Sequence, residues 1–255
     1  MRKQKVIVFL PALNEELSIG EVICRIPRSF HPDVTVEVLV INDGSSDRTV
    51  EAALEAGADY IYSFDTNKGL GNAVRTGLRE SVRLGADIGV MIDADNEYPA
   101  DQIPELLEPI LRGEADYVLG SRFKGTIRGM KLHRRLGNYC FTLLQCLLLG
   151  KWIYDGQTGM RAFSRQAMEH AEIRHDYNYA QVLTLNLVRK GFRLTEIPIR
   201  YQVRTQGESF IKFRAYMSKV LPAIVHEMRQ PVQKVVIDEK AHQRLLRVQE
   251  AVERI

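Results

Sequence analysis

The chain has 255 residues, 45% of them apolar and 26% charged, with a net charge of +3 and a pI of about 8.7. The length is ample for a sizeable core and predicts one principal α/β domain, and a charge this close to balance singles out no class of partner. Three cysteines without a leader pattern or a Cys-x-x-Cys spacing argue against a disulfide framework and structural zinc, and a reducing cytosol is expected.

The first half alternates apolar runs with helical segments. In order they are "KVIVFLPA", a helix from about Ser18, "TVEVLVIND", a helix from Asp47 to Ala56, "YIYSF", a helix near Gly71 to Leu84, and "IGVMIDAD". Repeated βα units predict a mainly parallel central sheet flanked by helices, and ligands of such sheets bind at the carboxyl ends of the strands. The polar residues gather at those ends: Asn14 and Glu15 after the first strand, Asp43 after the second, Asn67 after the third, Asp93 and Asp95 after the fourth.

Asp93 and Asp95 alternate along an extended chain, so both project to one side, where two like charges repel unless a cation lies between them. Hard carboxylate oxygens suit Mg²⁺ or Mn²⁺, although a polar turn through Asn96 and Pro99 is the competing account of this pair alone. In "INDGSSDRT", Gly44 marks a turn and Ser46 or Asp47 a helix cap, while Asn42 and Asp43 are free to accept from a nucleobase and ribose. "NKGLGNAVRTGL" has closely spaced glycines, but a dinucleotide fingerprint follows the first strand and this stretch follows the third, which argues against a nicotinamide dehydrogenase. It suits a helix start that approaches a ligand closely, around Lys68 and Gly69.

From Arg122 to Arg135 the segment "RFKGTIRGMKLHRR" has six basic residues and no acidic one, and Gly125 and Gly129 predict a mobile loop. The apolar run "YCFTLLQCLLLGKWIY" that follows is too short to span a bilayer and reads as a buried helix or one at a membrane surface. A basic stretch next to it suits an anionic, lipid-linked partner; nucleic acid is the competing explanation, disfavoured because a pI of about 8.7 is only mildly basic. The tail "VQKVVIDEKAHQRLLRVQEAVERI" reads as an amphipathic helix that packs on its own domain or pairs two copies as a homodimer, in preference to attaching to a membrane.

Taken in order, "LPALNEE", "INDGSSDRT", "NKGLGNAVRTGL", "DADNEYP", "GSRF", "DGQTGMRAF" and "IPIRYQVRTQGES" resemble the family 2 glycosyltransferases of the GT-A fold, and within them the polyprenol-phosphate hexose synthases. The resemblance implies a catalytic domain over residues 1–214, with a helical extension over 215–255. It further implies an inverting transfer of a hexose from a GDP- or UDP-sugar, with Mg²⁺ or Mn²⁺ on Asp93 and Asp95. Carried across by motif, Pro11, Asn14, Glu15, Asp43, Lys68, Gly69 and Ala94 line the donor site. Arg122, Arg204 and Ser209 face phosphates of donor or acceptor. The implied acceptor is a polyprenyl phosphate, reached by a cytoplasmic protein that touches the membrane peripherally.

The chain departs from the family's pattern at Asn42, where an aspartate is common, and at Glu97, where glutamine is common and a carboxylate adds a metal ligand or shifts sugar preference. Met160 replaces a common aromatic, and Gln181 stands where many relatives have glutamate. A phosphate acceptor is already ionised and needs no base, whereas a sugar hydroxyl does, and Asp155 is the candidate for that base. The other readings are therefore a transferase acting on a soluble hydroxyl acceptor, a sugar nucleotidyltransferase, which an acidic first loop disfavours, and an inactive nucleotide-binding scaffold, which the intact Asp pair disfavours.

Overall fold

The computed structural model describes residues 3–176, 179–203 and 213–236. In chain order the elements are β1 (Gln4–Ala12), α1 (Ile19–Arg25), β2 (Val34–Asn42), α2 (Thr49–Glu55), β3 (Tyr60–Ser63), α3 (Leu70–Arg83) and β4 (Ile88–Met91). After a 3₁₀ turn at Ala100–Gln102 come α4 (Ile103–Leu111), β5 (Tyr117–Arg128), α5 (Leu132–Leu149), β6 (Arg161–Ser164), α6 (Arg165–His170), α7 (Ala180–Arg189), β7 (Leu194–Gln202) and α8 (Phe213–Arg229). The seven strands form one sheet in the order β3-β2-β1-β4-β6-β5-β7. β6 runs antiparallel to both neighbours, and the other pairings are parallel.

The expected βα alternation of the first half is therefore present, with helix starts displaced by one or two residues. Burial on both faces explains why the early strands read as unbroken apolar runs. Along β1, Val6, Val8 and Leu10 enter the core with α1 and α4, while Ile7 and Phe9 enter the core with α3, α6 and α7. Full burial of each such side chain contributes roughly 1.5–3 kcal/mol. The helix α2 begins at Thr49 rather than Asp47 because Asp47 folds back: its Oδ1 accepts from the N–H of Thr49 at 3.0 Å and its Oδ2 from that of Glu16 at 3.2 Å.

The basic segment differs from expectation. Residues 122–128 continue β5, residues 132–135 open α5, and only Gly129 to Lys131 connect them. Gly125 is there for close approach, since a Cβ on it would lie 2.0 Å from the Ile199 carbonyl oxygen of β7. The pairing of β5 with β7 shifts register between Ser121 and Thr126, at this contact. Gly129 supplies the turn with φ +78°.

The apolar run is helical but only half buried. Phe141 on α5 packs with Leu185 of α7 and Val220 and Ile224 of α8. Leu132, Leu136, Tyr139, Leu143 and Leu147 remain exposed along the opposite stripe, followed by exposed Trp152 and Tyr154. The tail read as an amphipathic helix is not helical over residues 232–236, where the Val235 N–H donates to the Lys190 carbonyl at 2.9 Å; the rest of it lies outside the described residues.

Candidate active site

The loops after β1, β2 and β4 meet along one edge of the sheet. Asn14, in the left-handed region at φ 55°, donates its N–H to Ser45 Oγ at 3.0 Å, and its Oδ1 accepts from the Ser46 N–H at 2.8 Å. Glu15 donates to Thr49 Oγ1 at 2.8 Å and accepts from Ser18 Oγ at 2.7 Å. Pro11 is buried opposite Ile41 of β2. These contacts tie the first two strand ends into one wall.

Asp43 is buried and accepts from the N–H groups of Lys68 at 2.7 Å and Gly69 at 3.0 Å. Through these bonds its carboxylate, expected to line the nucleoside pocket, orders the loop that opens α3. Asn42 accepts from the Ser45 N–H at 2.9 Å and donates to Ser63 Oγ at 3.3 Å, so it too holds the turn.

At the end of β4, Asp93 and Asp95 are half-buried on either side of buried Ala94. Asp95 accepts from the Glu97 N–H at 3.1 Å, across a turn in which Asn96 takes φ 60°. Gly159 makes room for the first carboxylate: a Cβ there would meet Asp93 Oδ2 at 1.8 Å, and the Gly159 N–H donates to the Tyr98 hydroxyl at 2.8 Å. Burial, then the neighbouring charges of Asp95 and Glu97, push the Asp93 carboxyl well above the usual carboxylate range. A cation would relieve that repulsion, and two carboxylates that leave room for phosphate oxygens and water fit the way Mg²⁺ or Mn²⁺ is held.

Glu97 does not complete a three-carboxylate set, and among the described residues no group of three or more His, Cys, Asp or Glu is arranged to hold a metal. Its carboxylate has other partners: the Tyr201 hydroxyl donates to Oε2, and Arg134 Nη2 lies 3.5 Å from the same oxygen.

The candidate base is also engaged. Asp155 is fully buried and receives Arg122 through N–H to Oδ2 at 2.9 Å, Nε to Oδ2 at 2.7 Å and Nη2 to Oδ1 at 2.8 Å. Arg122, expected to face a phosphate, is thus a buried partner of Asp155 with its guanidinium against the Tyr201 ring at 5.2 Å. Arg204 and Ser209 lie outside the described residues.

Sequence reading missed Arg161, which is fully buried behind the site. It donates to the carbonyls of Thr158, Gly156 and Ala180, to Thr184 Oγ1 and to the Tyr117 hydroxyl. It supports the segment 156–161 that backs Asp93, and its place within "DGQTGMRAF" was the signal. A cleft of about 630 Å³ opens beside Asp95, lined by Asn14, Glu15, Glu97, Arg128 and Arg200 among others.

A strand-end carboxylate pair beside a loop-built wall and a set of arginines suits a phosphorylated ligand. The model of Glycosyl transferase family 2 matches residues 7–171. The dolichyl-phosphate hexose transferase of Haloferax volcanii is 33% identical over 204 residues, 79% of this chain and 84% of that one. The polyprenol monophosphomannose synthase of Mycolicibacterium smegmatis is 30% identical over 217 residues, covering 81% and 80% of the two chains. Among solved structures, glucosyl-3-phosphoglycerate synthase from Mycobacterium tuberculosis with Mn²⁺ and UDP-glucose matches at TM-score 0.69 and 24% identity, over 89% of this chain and 80% of that one, a likeness of fold. The chain belongs to glycosyl transferase family 2, with the GT-A arrangement of one mixed sheet flanked by helices, and is a glycosyltransferase.

Proposed function

We propose that the protein is an inverting, metal-dependent hexosyltransferase that moves a hexose from a nucleotide-diphosphate sugar to a polyprenyl phosphate. The observation that carries this reading is the Asp155 carboxylate: both its oxygens are taken by buried Arg122, so the candidate base is an ion-pair partner, and Gln181 is neutral. A phosphate nucleophile is ionised near neutral pH and needs positioning by positive groups rather than deprotonation. The names of the relatives, a dolichyl-phosphate hexose transferase and a polyprenol monophosphomannose synthase, agree with that class of acceptor.

In this reading Asp93 and Asp95 hold Mg²⁺ or Mn²⁺. The bound metal supplies Lewis-acid stabilisation of the departing nucleoside diphosphate. Gly159 and Tyr98 keep Asp93 in place. Pro11, Asn14, Glu15 and Asp43 shape the nucleoside wall, Asp43 by ordering Lys68 and Gly69. Arg122 and Asp155 form a buried pair behind this region, and Arg204 and Ser209 are assigned to phosphates of donor or acceptor.

The acceptor reaches the site from a membrane. Among the described residues no helix is long and apolar enough to cross one. The exposed stripe of α5 instead has the spacing of a helix lying in an interface, with Lys131, Arg134 and Arg135 at one end and Trp152 at the other.

The test is release of nucleoside diphosphate from a panel of UDP- and GDP-sugars, with and without a short polyprenyl phosphate. Release is expected to need both the lipid phosphate and a divalent metal, and to yield a lipid-linked sugar. Full activity in chelator contradicts the metal assignment, and transfer to free sugars alone contradicts the acceptor.

A further inference from the structure

Glu196 of β7 is a buried carboxylate that the proposed reaction does not use. It stands opposite Leu119 of β5 and is 8% exposed. Its oxygens take backbone N–H groups from the segment before β6: that of Tyr154 at 3.0 Å to Oε1 and 2.9 Å to Oε2, and that of Asp155 at 2.8 Å to Oε1. Burial pushes its carboxyl above the usual range, although these N–H groups pull the other way. Filling the space would need no charge; accepting from two successive N–H groups through both oxygens calls for a carboxylate.

What Glu196 fixes leads to the metal pair by two routes. Asp155, anchored by its own N–H, grips Arg122, whose guanidinium lies against the Tyr201 ring at 5.2 Å. The Tyr201 hydroxyl donates to Glu97 Oε2, and the Glu97 N–H donates to Asp95 Oδ1 at 3.1 Å. Glu196, Asp155, Arg122, Tyr201 and Glu97 thus form a buried row from β7 to the turn after β4. Asp155 also opens the segment 155–159, at whose far end Gly159 lies against Asp93 and donates to the Tyr98 hydroxyl. Close-packed buried groups pass a displacement on rather than absorb it.

We propose that Glu196 is a positioning residue for the metal pair: by anchoring Tyr154 and Asp155 it sets where Asp93 and Asp95 stand relative to each other. This rests on the reading of that pair as the Mg²⁺ or Mn²⁺ site. Loosening the groups that orient metal ligands ordinarily costs about 10- to 100-fold in metal affinity. Glu196 acts at a further remove than such groups do, so the lower end of that range is expected.

The test is Glu196→Gln, which keeps the size but turns an amide N–H towards the Tyr154 N–H. The Mn²⁺ concentration that half-saturates binding of UDP or GDP, read by calorimetry without acceptor or turnover, is expected to rise about tenfold. Asp116→Asn is the matched control. Asp116 is 5% exposed, takes the Arg193 N–H and guanidinium at 2.9 Å, and lies outside the row. It should lower the melting temperature comparably while leaving the Mn²⁺ requirement within about twofold, since distant sites act independently. Tyr201→Phe, which removes the bond to Glu97, should raise the requirement too, and the double variant should fall short of the product of the two single effects because both act through one row. An unchanged Mn²⁺ requirement in Glu196→Gln, an equal rise in Asp116→Asn, or effects of Glu196→Gln and Tyr201→Phe that simply multiply overturns the proposal. Should Glu196→Gln fail to fold, Glu196→Asp shortens the anchor by one methylene and is held to the same expectation and the same control. A wild-type protein that binds nucleotide equally well without divalent metal defeats the metal reading, and the inference with it, before any variant is compared.

Discussion

The half of the sheet formed by β3, β2, β1 and β4 and the half formed by β6, β5 and β7 solve the same problem by different means. In the first, site carboxylates are held by backbone donors from nearby turns: Asp43 by Lys68 and Gly69, Asp95 by Glu97, Asp47 by Thr49 and Glu16. In the second, charged side chains are held across the fold by partners distant in sequence: Arg122 by Asp155 and Arg134 by Glu97, both opposite charges, and Arg161 by Tyr117 and a ring of carbonyls. A group held by backbone amides presents a fixed shape to a rigid donor. A group held by an opposite charge is neutral until a better partner arrives, which suits an acceptor that brings its own charge.

The largest expected effect follows from burial. Asp155→Ala leaves the Arg122 guanidinium buried without its counter-ion and should destabilise the protein by about 3–5 kcal/mol in urea unfolding. Asp43→Ala removes an acceptor of two backbone hydrogen bonds and should cost only about 1–3 kcal/mol. Equal losses at the two positions would break the contrast between the halves.

Asp95→Asn should lower kcat/KM on the order of 10²–10³-fold while the fold is retained, as for loss of one group that stabilises transition-state charge. Asp93→Asn should also lose activity, but with the metal-free fold stabilised at neutral pH. The sign follows from the raised carboxyl: the folded state binds this proton more tightly than the unfolded chain does. Ionised Asp93 therefore costs stability above its folded-state pKa, and stability returns as pH falls through that value towards the ordinary carboxylate range. Melting curves of both variants across pH, without metal, check this.

The donor half was legible because its determinants are local. Strand, turn and helix start follow within a few residues, so apolar runs ending at Asn14, Asp43 and Asp93 marked the site edge before any packing was known. The acceptor half depends on pairs far apart in sequence: Arg122 and Asp155 are separated by 33 residues, and Tyr201 and Glu97 by 104. Nothing local distinguishes an arginine that will face a phosphate from one that will face an aspartate. Gly125 misled in the same way, since close approach of β5 to β7 and freedom of a loop both call for a glycine.

That correction is itself testable. Gly125→Ala places a methyl group against the Ile199 backbone and should cost about 1–3 kcal/mol, where a mobile loop would tolerate it with almost no change. The smallest effect on stability is expected on the outer stripe of α5. Leu136→Ser, Leu143→Ser and Leu147→Ser should each change unfolding free energy by no more than about 0.5 kcal/mol. Together they should abolish binding to anionic vesicles in a flotation assay; retained binding would place the membrane contact elsewhere.

The division into a donor half and an acceptor half is tested most directly by steady-state kinetics of one combined variant, Arg128→Gln, Lys131→Gln, Arg134→Gln and Arg135→Gln, varying each substrate in turn. The account predicts a KM for polyprenyl phosphate raised at least about tenfold, with the KM for the nucleotide sugar changed much less, within about twofold. An unchanged acceptor KM, or a donor KM raised by the same factor, would contradict it.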